Sequence, residues 1–346
     1  MSDRFLPEPD VAPLVGGPVL RWGVLGPGDI ANDFTATLHA NTDQRVTAVA
    51  SRSAERARAF AARHGIDRAT GSVEELLGGG DVDVVYVAAP HPAHLPLALA
   101  AVEAGLPVLV EKPLAMSAEE GRRLADAARA AEVFAGEAMW TAYLPQTSVL
   151  RQVLDRGDLG DVRLATADVG WRAEDDPDSR LRDPDQGGGT VLDAGVYGLW
   201  FAQLAIGRPV DVRAVGDVSG TGVDEQAVVS LRGAHGALAS VTSTMAGTST
   251  GLASIVGTAG SVRFTEPFVF PAAFTVQAGA SAHEWRDPDG LALRDGLAWQ
   301  ATAVAAMIAE GRLDSPVHPI ADAVGVLSTI DAVRQQVLAA DLGNPT

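Results

Sequence analysis

Val19-Leu20-Arg21-Trp22-Gly23-Val24-Leu25-Gly26-Pro27-Gly28-Asp29-Ile30-Ala31 is the stretch that decides the fold. Its first seven residues read as a short buried strand, and a helix is expected beyond it to about His39. Between them lies the spacing G-x-G-x-x-A, with Ala31 as the third small residue and Asp29 and Ile30 inside the turn. Gly26 permits the tight turn, and Gly28 lets the backbone approach a pyrophosphate. The helix N-terminus then offers unpaired N–H groups to the anion. A glycine turn before any helix looks similar, so the motif takes its meaning from the strand before it and the helix after it. In that context it reads as a dinucleotide site in a doubly wound α/β domain.

The following segments extend that domain. A strand at Arg45–Ala50 ends in Ser51-Arg52-Ser53, ahead of a helix from about Ala54 to His64. An NAD enzyme would usually place Asp or Glu here for the ribose 2′-hydroxyl. Arg52 can instead grip a 2′-phosphate through a bidentate fork, with Ser51 beside it, so NADP(H) is favoured over NAD(H). An N-cap at Ser53 beside an exposed arginine is the plain alternative, and the two are compatible. The next buried strand, Asp83–Ala89, ends at Pro90-His91-Pro92-Ala93-His94. With no cysteine in the chain and no carboxylate close by in sequence, His91 and His94 are not expected to hold a metal. A role beside the nicotinamide or its ribose is expected of Ala89, Pro90, His91 and His94, because ligands bind at the carboxyl ends of strands in such sheets. Leu106–Val110 delivers Glu111-Lys112-Pro113 to the same edge. Ser117 caps a further helix that opens with acidic residues, and a strand at Glu132–Gly136 completes the domain by about Trp140.

Lys112 is the only lysine in the chain, while every other member of the 26 lysines and arginines is arginine. Arginine keeps its charge under ordinary conditions, whereas lysine is a compact ammonium whose pKa can be tuned. A chain rich in Ala, Arg, Asp and Gly can lose lysine through a GC-rich genome alone, so the count needs its neighbours to acquire meaning. The strand-end position and the proline after it supply them. The Lys112–Pro113 bond is expected to be cis, the isomer being accessible before proline.

From Leu144 the character changes. A helix at about Leu144–Arg156 and a strand at Val162–Gly170 precede a polar loop, Trp171–Gly189, long enough to be functional. It contains Ser179-Arg180-Leu181-Arg182-Asp183-Pro184 and ends in Gly187-Gly188-Gly189. A helix over Thr190–Ile206 follows, in which Asp193 and Tyr197 stand at i and i+4, on one face. Strands are then expected at Val210–Val218, Gln226–Arg232, Ala237–Thr244, Ala253–Gly257, Ser261–Phe264 and Phe274–Ala278, as suits a mostly antiparallel sheet. Helices at about Gly296–Glu310 and Ile320–Ala340 close the chain. The expected organisation is a flexible arm (1–19), an N-terminal Rossmann dinucleotide-binding domain (20–140), and a C-terminal α+β substrate-binding and oligomerisation domain with a large, open sheet (141–346).

G-x-G-x-I-A, P-H-x-x-H at a strand end, E-K-P-L-A, E-A-M-W-T and G-G-G-T-x-L-D-x-G-x-Y occur here in one order. Together they resemble the Gfo/Idh/MocA oxidoreductases, from about Leu20 to the C-terminus. Within the family the likeness is to the branch of dihydrodiol dehydrogenases, NADP-dependent D-xylose dehydrogenases and sugar 3-ketoreductases. The resemblance implies that Lys112 of E-K-P and Tyr197 of D-x-G-x-Y share one site with Asp193. It also implies that Glu111 and Trp140 lie near the cofactor, and that a homodimer or homotetramer forms through the outer face of the sheet. That branch often has W-T-R where this chain has Trp140-Thr141-Ala142, which leaves Arg52 as the main support for NADP.

Hydride transfer from a carbinol carbon needs a base for the hydroxyl proton, and the reverse needs an acid. A phenol titrates near 10 in water, and a neighbouring ammonium favours the phenolate. Lys112 and Tyr197 are therefore the expected acid/base pair, with direct proton transfer open to either. Asp193 would bind a hydroxyl or steady the lysine, and Trp171 and Arg180 would line the substrate pocket. The expected activity is that of an NAD(P)-dependent oxidoreductase on CH–OH groups (EC 1.1.1 or 1.3.1 type) of a sugar or polyol. A trans-dihydrodiol dehydrogenase and a non-catalytic NADP-binding sensor are the alternatives.

Composition bounds the partners. A net charge of −18 argues against nucleic acid. No apolar run reaches the roughly 18 residues of a membrane span, and the N-terminus lacks the layout of a signal peptide. With no cysteine there is no disulfide framework, so a cytoplasmic setting without membrane partners is expected.

Overall fold

The computed structural model describes residues 6–174, 176, 178–287 and 290–342; residues 1–5 of the expected arm lie outside them. The chain forms two compact units, one from Val11–Leu144 with Leu291–Val324, the other from Met1–Asp10, Pro145–Gly290 and Gly325–Thr346.

The first unit is built on six strands: β1 (Arg21–Leu25), β2 (Arg45–Ala50), β3 (Arg68–Thr70), β4 (Val84–Val87), β5 (Val108–Glu111) and β6 (Ala135–Ala138). They pair in the order β3-β2-β1-β4-β5-β6, all parallel. The runs Val84-Val85-Tyr86-Val87 and Val108-Leu109-Val110-Glu111 are buried throughout, as strands covered on both faces must be. Between the strands run α1 (Asp29–Asn41), α2 (Ala54–His64), α3 (Val73–Leu77), α4 (His94–Glu103) and α5 (Ala118–Ala130). Ser53, Ser72 and Ser117 each cap the helix that follows by accepting a backbone N–H. β3 and α3 were not expected: three and five residues are too short to show a period. The 6–19 segment is hydrogen-bonded in places: Asp43 accepts the Gly16 N–H at 2.7 Å, and Gln44 donates to the Pro18 carbonyl at 2.7 Å.

The second unit contains α6 (Pro145–Asp155) and eight strands: β7 (Val162–Gly170), β8 (Pro209–Val218), β9 (Asp224–Gly233), β10 (Leu238–Thr244), β11 (Ala253–Gly257), β12 (Gly260–Phe264), β13 (Phe274–Ala278) and β14 (Ser281–Trp285). Their order is β14-β13-β12-β11-β7-β10-β9-β8, antiparallel except where β10 meets β7. β14 was not expected, since its Ser-Ala-His-Glu-Trp carries no alternation. In β9, Ala227, Val229 and Leu231 are buried while Gln226, Val228, Ser230 and Arg232 are exposed, the period of a sheet covered on one face. The covering helix is α7 (Val196–Ile206), packed on β7 and β10. A Cβ on Gly198 would lie 2.6 Å from Val241, so the contact needs glycine there.

One expectation changes. The segment expected as a single helix from Thr190 to Ile206 opens with a π-helical turn, Val191–Gly195, and becomes α-helical only at Val196. Asp193 lies in the wide turn and Tyr197 beyond it, so regular i, i+4 geometry does not relate them. Gly195 sits against Ser243 of β10, where an added Cβ would come within 3.2 Å of the hydroxyl. Such turns occur mostly as single-turn insertions in α-helices, frequently at functional sites. Two further helices, α8 (Leu297–Ala309) and α9 (Ile320–Leu342), end the chain. No helix among the described residues is long and apolar enough to cross a membrane.

Candidate active site

The glycine turn comes first. Gly26 has φ +95°, and a Cβ there would lie 2.8 Å from the backbone of Ala89, so both conformation and space demand glycine. Its N–H donates to the Ala50 carbonyl at 3.1 Å, binding β1 to β2 at the edge where the turn leaves the sheet. Gly28 caps α1 without any side-chain hydrogen bond, so the N–H groups that open the helix meet no protein oxygen from a cap. Ala31 is fully buried beneath the turn, whereas Asp29 is exposed and Ile30 is half-buried. This is a cradle with the chemistry of an anion site.

At the end of β2, Arg52 is exposed, and Ser53 accepts the Arg56 N–H at 3.3 Å as the cap of α2. Ser51 accepts the Ser53 N–H at 3.2 Å. No acidic side chain follows this strand until Glu55, inside the helix.

Beyond β4, Pro90 precedes a short turn, His91–Ala93, and both histidines are buried with rings 5.5 Å apart. His94 has Nδ1 2.8 Å from the Pro113 carbonyl and Nε2 2.8 Å from the Ala89 carbonyl. The ring thus lies between the Pro113 and Ala89 carbonyls, just beyond the ends of β5 and β4. Burial pushes its pKa down, against the pull of the two carbonyls. Among the described residues no group of three or more His, Cys, Asp or Glu could hold a metal. A carboxylate does act on His94: Glu137, distant in sequence, raises its pKa electrostatically.

β5 ends in Glu111, and the Lys112–Pro113 bond is cis, as expected. Lys112 is half-buried. Glu111 is 5% exposed; it accepts the Tyr86 hydroxyl at 2.5 Å on Oε1 and the Lys112 N–H at 3.1 Å on Oε2. Burial pushes its carboxyl up to about 7, against the lowering effects of Tyr86 and Lys112. Trp140 is buried on the turn Trp140–Tyr143, against which α8 packs.

In the other unit, Asp193 is 3% exposed and accepts from Nη2 of Arg180 at 3.3 Å. Arg180 is itself about half exposed, on a short turn within the loop 171–189. A hollow beside them, without room for a water molecule, is lined by Trp171, Leu181, Thr190, Asp193, Thr244 and Met245. Trp171 is 39% exposed. Tyr197 is 8% exposed at the start of α7. A residue that was not anticipated anchors this segment. Asp224, fully buried at the start of β9, accepts the Val191 N–H at 2.6 Å. Gly189, at φ +105°, makes room for it, because a Cβ there would lie 2.4 Å from the Asp224 carboxylate. Tyr86, Asp224, Glu137 and His318, whose Nε2 lies 2.7 Å from Glu137 Oε2, carry no local signal in the sequence, except that Glu137 lies in the motif E-A-M-W-T.

Two family descriptions match the chain: "Oxidoreductase family, NAD-binding Rossmann fold" over residues 20–138 and "GFO/IDH/MocA C-terminal domain" over 147–263. The chain is 33% identical over 330 residues to trans-1,2-dihydrobenzene-1,2-diol dehydrogenase of Bos taurus, covering 92% of this chain and 97% of that one. It is 41% identical to the Mus musculus enzyme of the same name over 224 residues, 63% of this chain and 67% of that one. Among solved structures it is similar to a 3-ketoreductase from Actinomadura kijaniata in complex with NADP and TDP-benzene. There the TM-score is 0.80 at 29% identity, over 92% of this chain and 98% of that one.

Proposed function

The chain belongs to the Gfo/Idh/MocA oxidoreductase family, and on that premise we propose an NADP-dependent dehydrogenase or reductase acting on a sugar or polyol. It is an oxidoreductase of hydroxyl and carbonyl groups, as its relatives are. The observation that carries the finer reading is Lys112, the sole lysine, at the carboxyl end of β5 in the same sheet as the Gly26–Gly28 turn. The cradle fits a dinucleotide: its helix start is uncapped by side chains, and it closes on a glycine where a Cβ would crowd the Ala89 backbone. Gly26, Gly28, Asp29 and Ile30 would hold the pyrophosphate, Ser51 and Arg52 the adenosine ribose phosphate. Ala89, Pro90, His91, His94, Glu111 and Trp140 would surround the nicotinamide end. The bound nicotinamide accepts or supplies the hydride at C4.

In this reading Lys112 places a positive charge and a hydrogen-bond donor at the reacting oxygen. Tyr197 takes or returns the hydroxyl proton, its phenolate favoured by the ammonium. Asp193 binds a substrate hydroxyl, with Arg180 balancing its buried charge, and Trp171 offers its ring to the substrate. NADP is supported by the exposed Arg52 and the missing acid after β2, and by the NADP in the similar 3-ketoreductase. A cytoplasmic setting, supported by the absence of cysteine, belongs to the same reading. So does a homodimer or homotetramer through the outer face of the large sheet. Exposed Leu164, in register with both Leu238 and Val256, supports that assembly.

An absorbance screen at 340 nm with both cofactors, across aldoses, ketosugars, inositols and diols, tests the reading. Turnover of a sugar or polyol with NADP supports it, and silence with every compound points to a sensor. The second reading, a trans-dihydrodiol dehydrogenase, is favoured by the identity to the bovine enzyme over nearly its whole length, and the diol arm of the screen decides it.

A further inference from the structure

Next to the Lys112 turn lies a buried acid–imidazole pair that hydride transfer does not use. Glu137 is in β6, in register with Val110 of β5. Interior positions of a sheet covered on both faces are ordinarily apolar, and an acid there is costly unless its oxygens are satisfied. Both are. Oε1 accepts the Leu114 N–H at 2.6 Å, and Oε2 lies 2.7 Å from Nε2 of His318, with each residue 1% exposed. His318 is itself held by a compact turn. Ser315 Oγ accepts the N–H groups of Val317 and His318, and Asp314 Oδ1 those of Ser315 and Ile320.

The backbone around the lysine is therefore gripped at three points. Glu111 takes the Lys112 N–H, His94 contacts the Pro113 carbonyl, and Glu137 takes the Leu114 N–H. Proline has no N–H, so the Leu114 amide is the first donor beyond the lysine able to tie down the turn. We propose that Glu137 and His318 are positioning residues for Lys112: the pair fixes the Leu114 amide and, through it, the turn from which the lysine side chain is presented. The consequence for turnover rests on the proposed role of Lys112; the positioning itself does not.

The single lysine makes this measurable without a known substrate. Protein grown on lysine labelled with 13C at Cε, saturated with NADP, gives one lysine resonance, which Lys112→Met identifies by removing it. Its shift and titration are compared in wild type, Glu137→Gln, His318→Leu and His318→Gln; glutamine keeps an N–H donor near the place of Nε2. The resonance is expected to move in Glu137→Gln and His318→Leu and to return towards wild type in His318→Gln. Turnover, read with trans-1,2-dihydrobenzene-1,2-diol as probe, is expected to fall about 100-fold in His318→Leu, as for a misplaced reacting group. A resonance unchanged in both Glu137→Gln and His318→Leu overturns the proposal, whatever the activity. So does a His318→Gln protein that stays where His318→Leu lies. If the resonance moves and turnover does not, positioning stands and the catalytic role of Lys112 fails. Should His318→Leu not fold, Glu137→Gln, similar in size but able to accept at only one of the two positions, carries the comparison.

Discussion

Asp224 Oδ2 accepts the backbone N–H of Val191 at 2.6 Å, joining the start of β9 to the π turn that carries Asp193. The carboxyl is fully buried, burial pushes its pKa up, and Arg334 is its cationic neighbour at 3.5 Å. Asp224→Ala leaves that amide buried without its acceptor. A loss of about 2 kcal/mol in urea unfolding is expected, as for a buried donor deprived of its partner. A loss below the error of the measurement would show that the turn does not depend on Asp224.

Glu111 makes stability depend on pH. Its carboxyl, raised by burial to about 7 from 4.5, keeps its proton longer in the folded state than in the unfolded chain. Its contribution is thus fully present below about 4.5 and lost as pH rises through about 7. Relative to Glu111→Gln, wild type is expected to lose about 3 kcal/mol of stability across that window. Parallel stability curves for the two proteins would contradict it.

Replacing Lys112 by Met should leave NADP binding intact while lowering kcat by about 100- to 10,000-fold, the range for losing a general acid or base. Fluorescence titration of NADPH checks the first half, and steady-state rates at 340 nm the second.

Arg52→Ala should weaken NADP about 10- to 100-fold and leave NAD unaffected, since a charge-assisted hydrogen bond to one phosphate is removed. Dissociation constants for both cofactors with both proteins measure it; an unchanged NADP/NAD ratio removes Arg52 from cofactor choice.

Gly26→Ala meets two obstacles together. The positive φ alone costs about 1–2 kcal/mol for an L-residue, and the new Cβ falls 2.8 Å from the Ala89 backbone. A lower Tm with loss of NADPH binding is expected; binding at wild-type strength would mean the turn adjusts.

Signals carried by neighbouring residues are legible in the sequence. β2 at Arg45–Ala50, α2 at Ala54–His64 and β7 at Val162–Gly170 lie where pattern and caps put them. So do the glycine turn after β1 and the cis bond before Pro113. Each depends on side-chain alternation, a capping hydroxyl, or a backbone that only glycine or proline permits, and all of these act within a few residues. Even Lys112 could be singled out from composition and its place at a strand end.

The tertiary structure alone decided the rest. It brought His318 to Glu137 across 181 residues, set Asp224 against Val191, and returned Leu291–Val324 to the unit that begins at Val11. It also opened the expected helix at Thr190 into a π turn. A buried carboxylate has no periodicity that names its partner. Its partner is chosen by which donor the folded chain brings to it when water is excluded, and that exclusion exists only once the sheets and helices have packed.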